Sequence, residues 1–360
     1  MLAPLPTARG PLSAALLRAW LEGTPLGRPA LRGVDALVDD DLHLALWACY
    51  QQHYGGFASL REPLEWDPDT LAFRAALEAA FERALRAEHT QALPADPVTA
   101  LRVIAEWSGP PLAATVGREG QRQHLVEVAI HRSAYQRKEA DGHTFAIPRL
   151  DGPGRAALIA IQADEYGNGV PGEAHAELFA RAMGELGLDP SYGAYVDRLP
   201  GTTLATDNLV SMFALHHRLR GALVGHLALF EMCSVTPMSR YLSAARRIGG
   251  LPSLERFYEV HVEADGHHSR LALDEMVAPM AEAHPELADD MVFGAAALAR
   301  VETRFARHLL RSWDAGETSL LPEPSAPAAG ASASPGLAPA AASAPTRRPA
   351  RHRRRPAPAA

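Results

Sequence analysis

Apolar residues recur along this chain at three- and four-residue intervals, and clusters of Pro and Gly separate the segments that carry the pattern. That spacing lines one face of a helix. It predicts helices over 12–21, 40–53, 68–88 and 97–107, so that the first hundred residues read as all-α. The series continues over 121–141, 154–166, 175–187, 206–233, 237–248, 252–268 and 285–315. Several segments open with Pro in the first turn, where its missing N–H costs nothing. No run of alternating polar and apolar residues stands out, and the expected fold class is all-α. No internal repeat, Gly-rich phosphate loop or dinucleotide fingerprint interrupts the series, so a nucleotide cofactor is not indicated.

The 252–268 helix carries the chain's most informative chemistry. At about 100° per residue, His261, Asp265 and His268 fall on one face and Glu263 and His267 on the other. The wheel itself therefore selects His268 over its neighbour. Two imidazoles and a carboxylate suit a divalent first-row metal, and iron with open positions when oxygen chemistry follows. The same face would also serve as a solvated polar stripe.

Further ligands are sought where carboxylates and imidazoles flank breaks. Glu165 ends one predicted helix and His175 begins the next, with Gly167, Gly169, Pro171 and Gly172 between them. An unbroken helix would put the two on different faces, and the break removes that constraint. Taken singly, each also reads as an ordinary helix end. Glu231 closes the apolar run 223–230, where an unpaired carboxylate is costly to bury. Glu139 reads equally as a surface glutamate, and His143, four residues on, is a reserve ligand. His43, His53, His131, His216, His217 and His226 lack carboxylate partners at a convincing offset and are assigned to packing or surface.

Composition bounds these readings. A chain of 360 residues with 47% hydrophobic content can bury a substantial core in one large or two modest domains. Cys49 and Cys233 cannot build a disulfide framework or a thiolate metal site, and they fit a reducing, cytoplasmic setting. The N-terminus lacks a secretory pattern. The apolar stretch 209–232 carries His216, His217, Arg218, Arg220 and His226, so no membrane span is expected. Net charge is −7, of which the six arginines of residues 325–360 contribute +6, leaving −13 on the rest. From Pro322 onward Ala, Pro, Ser and Gly dominate, and the segment 317–360 is expected to be a disordered tail. Its arginines are read as a solvated extension, with nucleic acid an unlikely partner, because Lys138 is the only lysine and Arg is this chain's habitual cation.

In order and spacing, Glu139, Glu165, His175, Glu231, His261, Asp265 and His268 resemble the seven-ligand set of the heme-oxygenase-like diiron oxidases and oxygenases, a group that includes iron-containing redox enzymes. The resemblance covers roughly residues 115–313; its most specific parts are Glu165-Tyr166-Gly167-Asn168-Gly169 with His175, and the His261-Asp265-His268 triad. It implies a heme-oxygenase-like helical bundle over 111–316 that holds two Fe(II) ions, with manganese as an alternative, and uses dioxygen as co-substrate. One iron would take Glu165, His175 and His268, and the other Glu139, Glu231, His261 and Asp265, with a glutamate between them. It further implies an external electron donor and a small organic substrate that undergoes N-oxygenation, desaturation or C–C cleavage. Residues 1–110 would form an accessory helical region, a dimerisation element in the related N-oxygenase architecture. A ferritin-like bundle would need two Glu-x-x-His motifs, and only Asp265-x-x-His268 approaches one. Thiamin-degrading relatives use a cysteine nucleophile, but Cys233 lies roughly 200° around the helix from Glu231. Heme oxygenation would leave the carboxylates unexplained. A non-catalytic helical metal-binding or scaffold protein is the remaining alternative.

Overall fold

Helices form where the apolar spacing predicts them, and side-chain caps fix several of their starts. In the computed structural model, which describes residues 2–60 and 64–323, the N-terminal helices are α1 (Pro11–Glu22), α2 (Asp40–Gln51), α3 (Pro68–Glu88) and α4 (Pro97–Ala105). Asp39, Asp67 and Asp96 accept backbone N–H groups at the starts of α2, α3 and α4, and each such cap is worth about 1 kcal/mol. There follow α5 (Leu112–Glu119), α6 (Arg122–Gln136), α7 (Asp141–Thr144), α8 (Gly152–Glu165), α9 (His175–Glu185), α10 (Gly201–Leu215), α11 (Arg220–Ile248), α12 (Pro252–Arg270), α13 (Ala278–Ala283) and α14 (Ala288–Asp314). No multi-residue strand occurs among the described residues; Ala3 and Phe57 form an isolated bridge.

Three boundaries differ from the sequence reading. The expected 121–141 helix breaks over 137–140, which puts Glu139 in a turn. The expected 206–233 helix is interrupted at His217–Leu219. Pro237 does not open a helix; it lies inside α11, which continues to Ile248 because both sides of the proline remain packed in the bundle. Helices α5 and α13 and a seven-residue π turn at Leu271–Val277 were not foreseen.

Two apolar cores organise the helices. The larger one joins α1–α4 to α8, α10, the first half of α11 and the first half of α14, through residues such as Leu16, Trp47, Phe81, Ile161, Phe213 and Leu298. The smaller one joins α5, α6 and α9 to α12 and the second halves of α11 and α14, through Val116, Phe179, Leu242, Phe257 and Phe305. The described residues form one compact unit. Helix α11 runs through both cores. It is apolar and long enough by composition to cross a membrane, but that apolarity faces protein, since 67% of its most apolar window is buried.

Helix α14 lies against α11 at backbone distance. A Cβ on Gly294 would stand 2.6 Å from the Ala222 carbonyl carbon, and one on Gly225 would stand 2.6 Å from that of Met291. Only glycine permits this approach. Residues 317–323, expected to belong to the tail, pack on the body instead. Ser319 is buried; its hydroxyl donates to Glu127 and bonds to His131, while the Leu321 N–H reaches the Arg198 carbonyl. The remainder of the expected tail lies outside the described residues.

Candidate metal centre

The turn that carries Glu139 is pinned on both sides of it, at 137, 138 and 140. Arg137 donates to the Pro190 carbonyl, Lys138 pairs with Asp207 at 2.7 Å in a buried ion pair, and Gln162 donates to the Ala140 carbonyl. Glu139 is thereby aimed inward and buried. Glu165 is the last residue of α8 and His175 the first of α9. Between them, Gly167 and Gly169 adopt φ of +70° and +76°, and Asn168 lies at φ 52°. A Cβ on Gly167 would meet the Ala174 nitrogen at 2.5 Å. The chain therefore doubles back closely enough for His175 Nδ1 to stand 2.8 Å from Glu165 Oε2.

On α12, His261, Asp265 and His268 are buried while Glu263 and His267 are exposed, as the wheel requires. His268 Nδ1 lies 3.5 Å from Glu231, 3.7 Å from Glu165 and 3.8 Å from Asp265. His261 Nε2 lies 3.4 Å from Glu139, and the His175 and His261 rings are 4.3 Å apart. All seven residues picked from the sequence thus converge. Donor atoms of six of them form two overlapping groups, Glu139, Glu165, His175 and His261 in one and Glu165, Asp265 and His268 in the other, and Glu231 adjoins the second through His268. The Glu165–His175, Glu165–His268 and Glu139–His261 proximities follow the division that the resemblance implies. Asp265 and Glu231 differ from it by lying against His268, and His175 differs by lying beside His261.

Outer hydrogen bonds set which imidazole nitrogen faces inward. His261 Nδ1–H donates to the Phe257 carbonyl at 2.8 Å, leaving Nε2 for the centre. His268 Nε2–H donates to Asp164 Oδ2 at 3.0 Å, leaving Nδ1. Asn168 in turn donates to Asp164. Such outer partners fix ring orientation and raise the basicity of a ligating imidazole. Asp164 is a contributor that sequence reasoning missed; its only signal was its place beside Glu165 at a helix end.

The inner atoms meet only one another: Glu139 Oε2, Glu165 Oε2, His175 Nδ1, His261 Nε2, Asp265 Oδ2 and His268 Nδ1 are all buried and make no well-directed hydrogen bond. Orphan polar atoms in such number are expensive unless a further group satisfies them. Burial would depress the two imidazoles on α12, but the surrounding carboxylates outweigh it and raise His261 to about 10 and His268 to about 9. Burial, with the Glu231 charge next, raises Asp265 to about 6, and burial likewise raises Glu231. The centre is short of positive charge. Four carboxylates and three imidazoles with inward lone pairs match two divalent cations in both charge and donor type.

His143, the reserve ligand, lines the cavity around the centre but bonds to His226 through Nε2 at 3.1 Å. Cys233 lies on the exposed side of α11, away from the donors.

Residues 126–303 match the family described as iron-containing redox enzyme. A nitrosourea synthase from Streptomyces achromogenes subsp. streptozoticus is 28% identical over 180 residues, covering 46% of this chain and 38% of that protein. The chain therefore spans well under two thirds of that relative's length. The matched region contains all seven converging donors and the five helices or turns that supply them, and on this ground the chain belongs to the iron-containing redox enzyme family.

Proposed function

We propose that this chain is a non-heme diiron oxidase or oxygenase that uses dioxygen to oxidise a small organic substrate, with electrons returned by an external donor. The observation that carries the reading is the set of six buried donor atoms that face one another, without a well-directed hydrogen bond, across the seam of the two cores. Glu139, His175 and His261 would hold one metal, and Glu231, Asp265 and His268 the other, with Glu165 common to both. When bound, ferrous iron supplies the electrons that dioxygen needs.

The protein's own part is orientation and exclusion of water. Asp164 and the Phe257 carbonyl hold the imidazole N–H groups outward, so the lone pairs point inward without rotation. The pinned 137–140 turn presents Glu139 from outside any helix. Tyr135 stands at the edge of the centre; burial first, then the Glu139, Glu165 and Glu231 charges, push its hydroxyl well above the usual range, so it stays protonated. Among the reaction classes, the similarity to a nitrosourea synthase favours N-oxygenation.

The test is anaerobic titration with ferrous iron, metal counting, and rapid mixing with oxygen, on wild type and His268→Ala. About two irons per chain and a transient visible absorbance lost in the variant support the reading. Absence of bound iron, or identical behaviour of the variant, refutes it.

A further inference from the structure

A cavity of about 520 Å³ lies across an aromatic wall from the metal centre. Tyr135 and Phe230 line both this cavity and the small one around the donors. Their ring centroids are 5.3 Å apart, and together they form the partition. The remaining lining is largely apolar, with Leu112, Leu229, Met238 and Phe305 among it. The volume is in the range that encloses a small-molecule ligand.

Three ionised side chains line the cavity: Arg132, Arg240 and Glu302. Arg132 donates both terminal nitrogens to the two Glu302 oxygens, at 2.8 and 2.6 Å, and its guanidinium lies 4.2 Å from the Phe305 ring centroid. Those two charges cancel. Arg240 is exposed, and no salt bridge or side-chain hydrogen bond involves it among the described residues. One unmatched positive charge therefore serves the cavity.

Helix α11 relates this charge to the wall. Phe230, Cys233, Pro237 and Arg240 recur at three- and four-residue intervals, forming a single stripe along the cavity. The ten residues from Phe230 to Arg240 span about 15 Å of helix, and a helical side chain leans back toward the N-terminus. An elongated ligand with an anionic end at Arg240 thus directs its other end at Tyr135 and Phe230.

We propose that this cavity binds a small molecule with a largely apolar body and a single carboxylate, the carboxylate held by Arg240 and the far end, which carries the group to be oxidised, presented to the Tyr135–Phe230 wall. The proposal rests on the diiron reading, which makes the wall the reacting side. Opening the wall, by rotation of the two rings, joins the chamber to the centre.

Binding is tested on the metal-free full chain, so that it does not depend on catalysis. Cys233 is exposed on the cavity wall and Cys49 is buried, so N-ethylmaleimide labels Cys233 selectively. Octanoate is expected to protect Cys233, whereas octylamine is not. Arg240→Gln should weaken octanoate binding about five-fold with unchanged thermal unfolding, and Cys233→Trp should abolish the calorimetric signal of octanoate. Equal protection by octanoate and octylamine overturns the carboxylate assignment, and lack of protection by either overturns the site. Iron counting on the same preparations separates the two readings. Octanoate binding without iron uptake defeats the diiron function alone, and iron uptake without octanoate binding defeats the ligand site alone.

Discussion

Substituting Gly294 by Ala probes the contact on which the placement of Glu231 depends. The added methyl would lie 2.6 Å from the carbonyl carbon and Cα of Ala222, where ordinary carbon contacts are about 3.5–4.0 Å. The obstacle is helix backbone rather than a flexible side chain, so α11 and α14 must separate by about 1 Å. A gap of that size forfeits a quarter to a half of each affected contact, and overpacked cores lose about 1–3 kcal/mol. The gain in helix propensity returns about 1 kcal/mol, leaving a net loss of about 1 kcal/mol. Gly184→Ala is the control, because Gly184 is exposed, helical and has nothing within 4 Å of its added methyl. It should stabilise by about 0.5–1 kcal/mol. Urea unfolding of the metal-free proteins should show midpoints displaced in opposite directions with unchanged slopes. The same displacement should weaken iron binding in Gly294→Ala, since Glu231 lies nine residues beyond Ala222 on the same helix α11, about 14 Å of rise. Two Gly→Ala variants that shift stability by the same amount and sign would refute the reasoning.

Other outcomes follow from single contacts. Asp164→Ala removes the acceptor of His268 Nε2–H and should lower iron affinity about 10–100-fold; competition with a chelator measures it, and unaltered affinity would deny Asp164 its orienting role. Glu165→Ala should lose both irons while His175→Ala keeps one, because only Glu165 belongs to both donor groups; one iron retained by Glu165→Ala would contradict the shared position. His43 is buried, donates Nε2–H to the Ala36 carbonyl at 3.1 Å and accepts the Asn208 amide at Nδ1 at 3.2 Å. Burial lowers it from 6.5 to about 4. With the folded value below the unfolded one, its contribution is complete above pH 6.5 and is lost as pH falls toward 4, about 3 kcal/mol in all. His43→Leu should therefore show a shallower decline in unfolding free energy between pH 6.5 and 4, and parallel declines would refute the assignment.

Helix positions, helix faces and the candidate donors were largely legible because each depends on spacing along a few turns. The 3.6-residue period separates His268 from His267 and Asp265 from Glu263 without reference to any other part of the chain. Glycines after Glu165 announced a reversal for the same reason, since positive φ is a local property. Glu139 was assigned to a helix but projects from a turn. That turn is held by Asp207, Gln162 and the Pro190 carbonyl, which are distant in sequence. Pro237 was read as a helix start because local propensity is strongly against an interior proline; tertiary packing on both sides of α11 outweighs it.

The sequence by itself determined the class of fold and which candidate donors share a helix face, because apolar periodicity and residue chemistry are carried by neighbouring residues. Only the tertiary structure decided that Glu165 stands in both candidate donor groups, that Asp164 holds His268, that Ser319 and Leu321 belong to the body, and that a chamber lies behind Tyr135 and Phe230. Each of these depends on contacts across long sequence separations, whose pairing is set by how helices pack and how closely glycine lets backbones approach. Local pattern does not encode those distances.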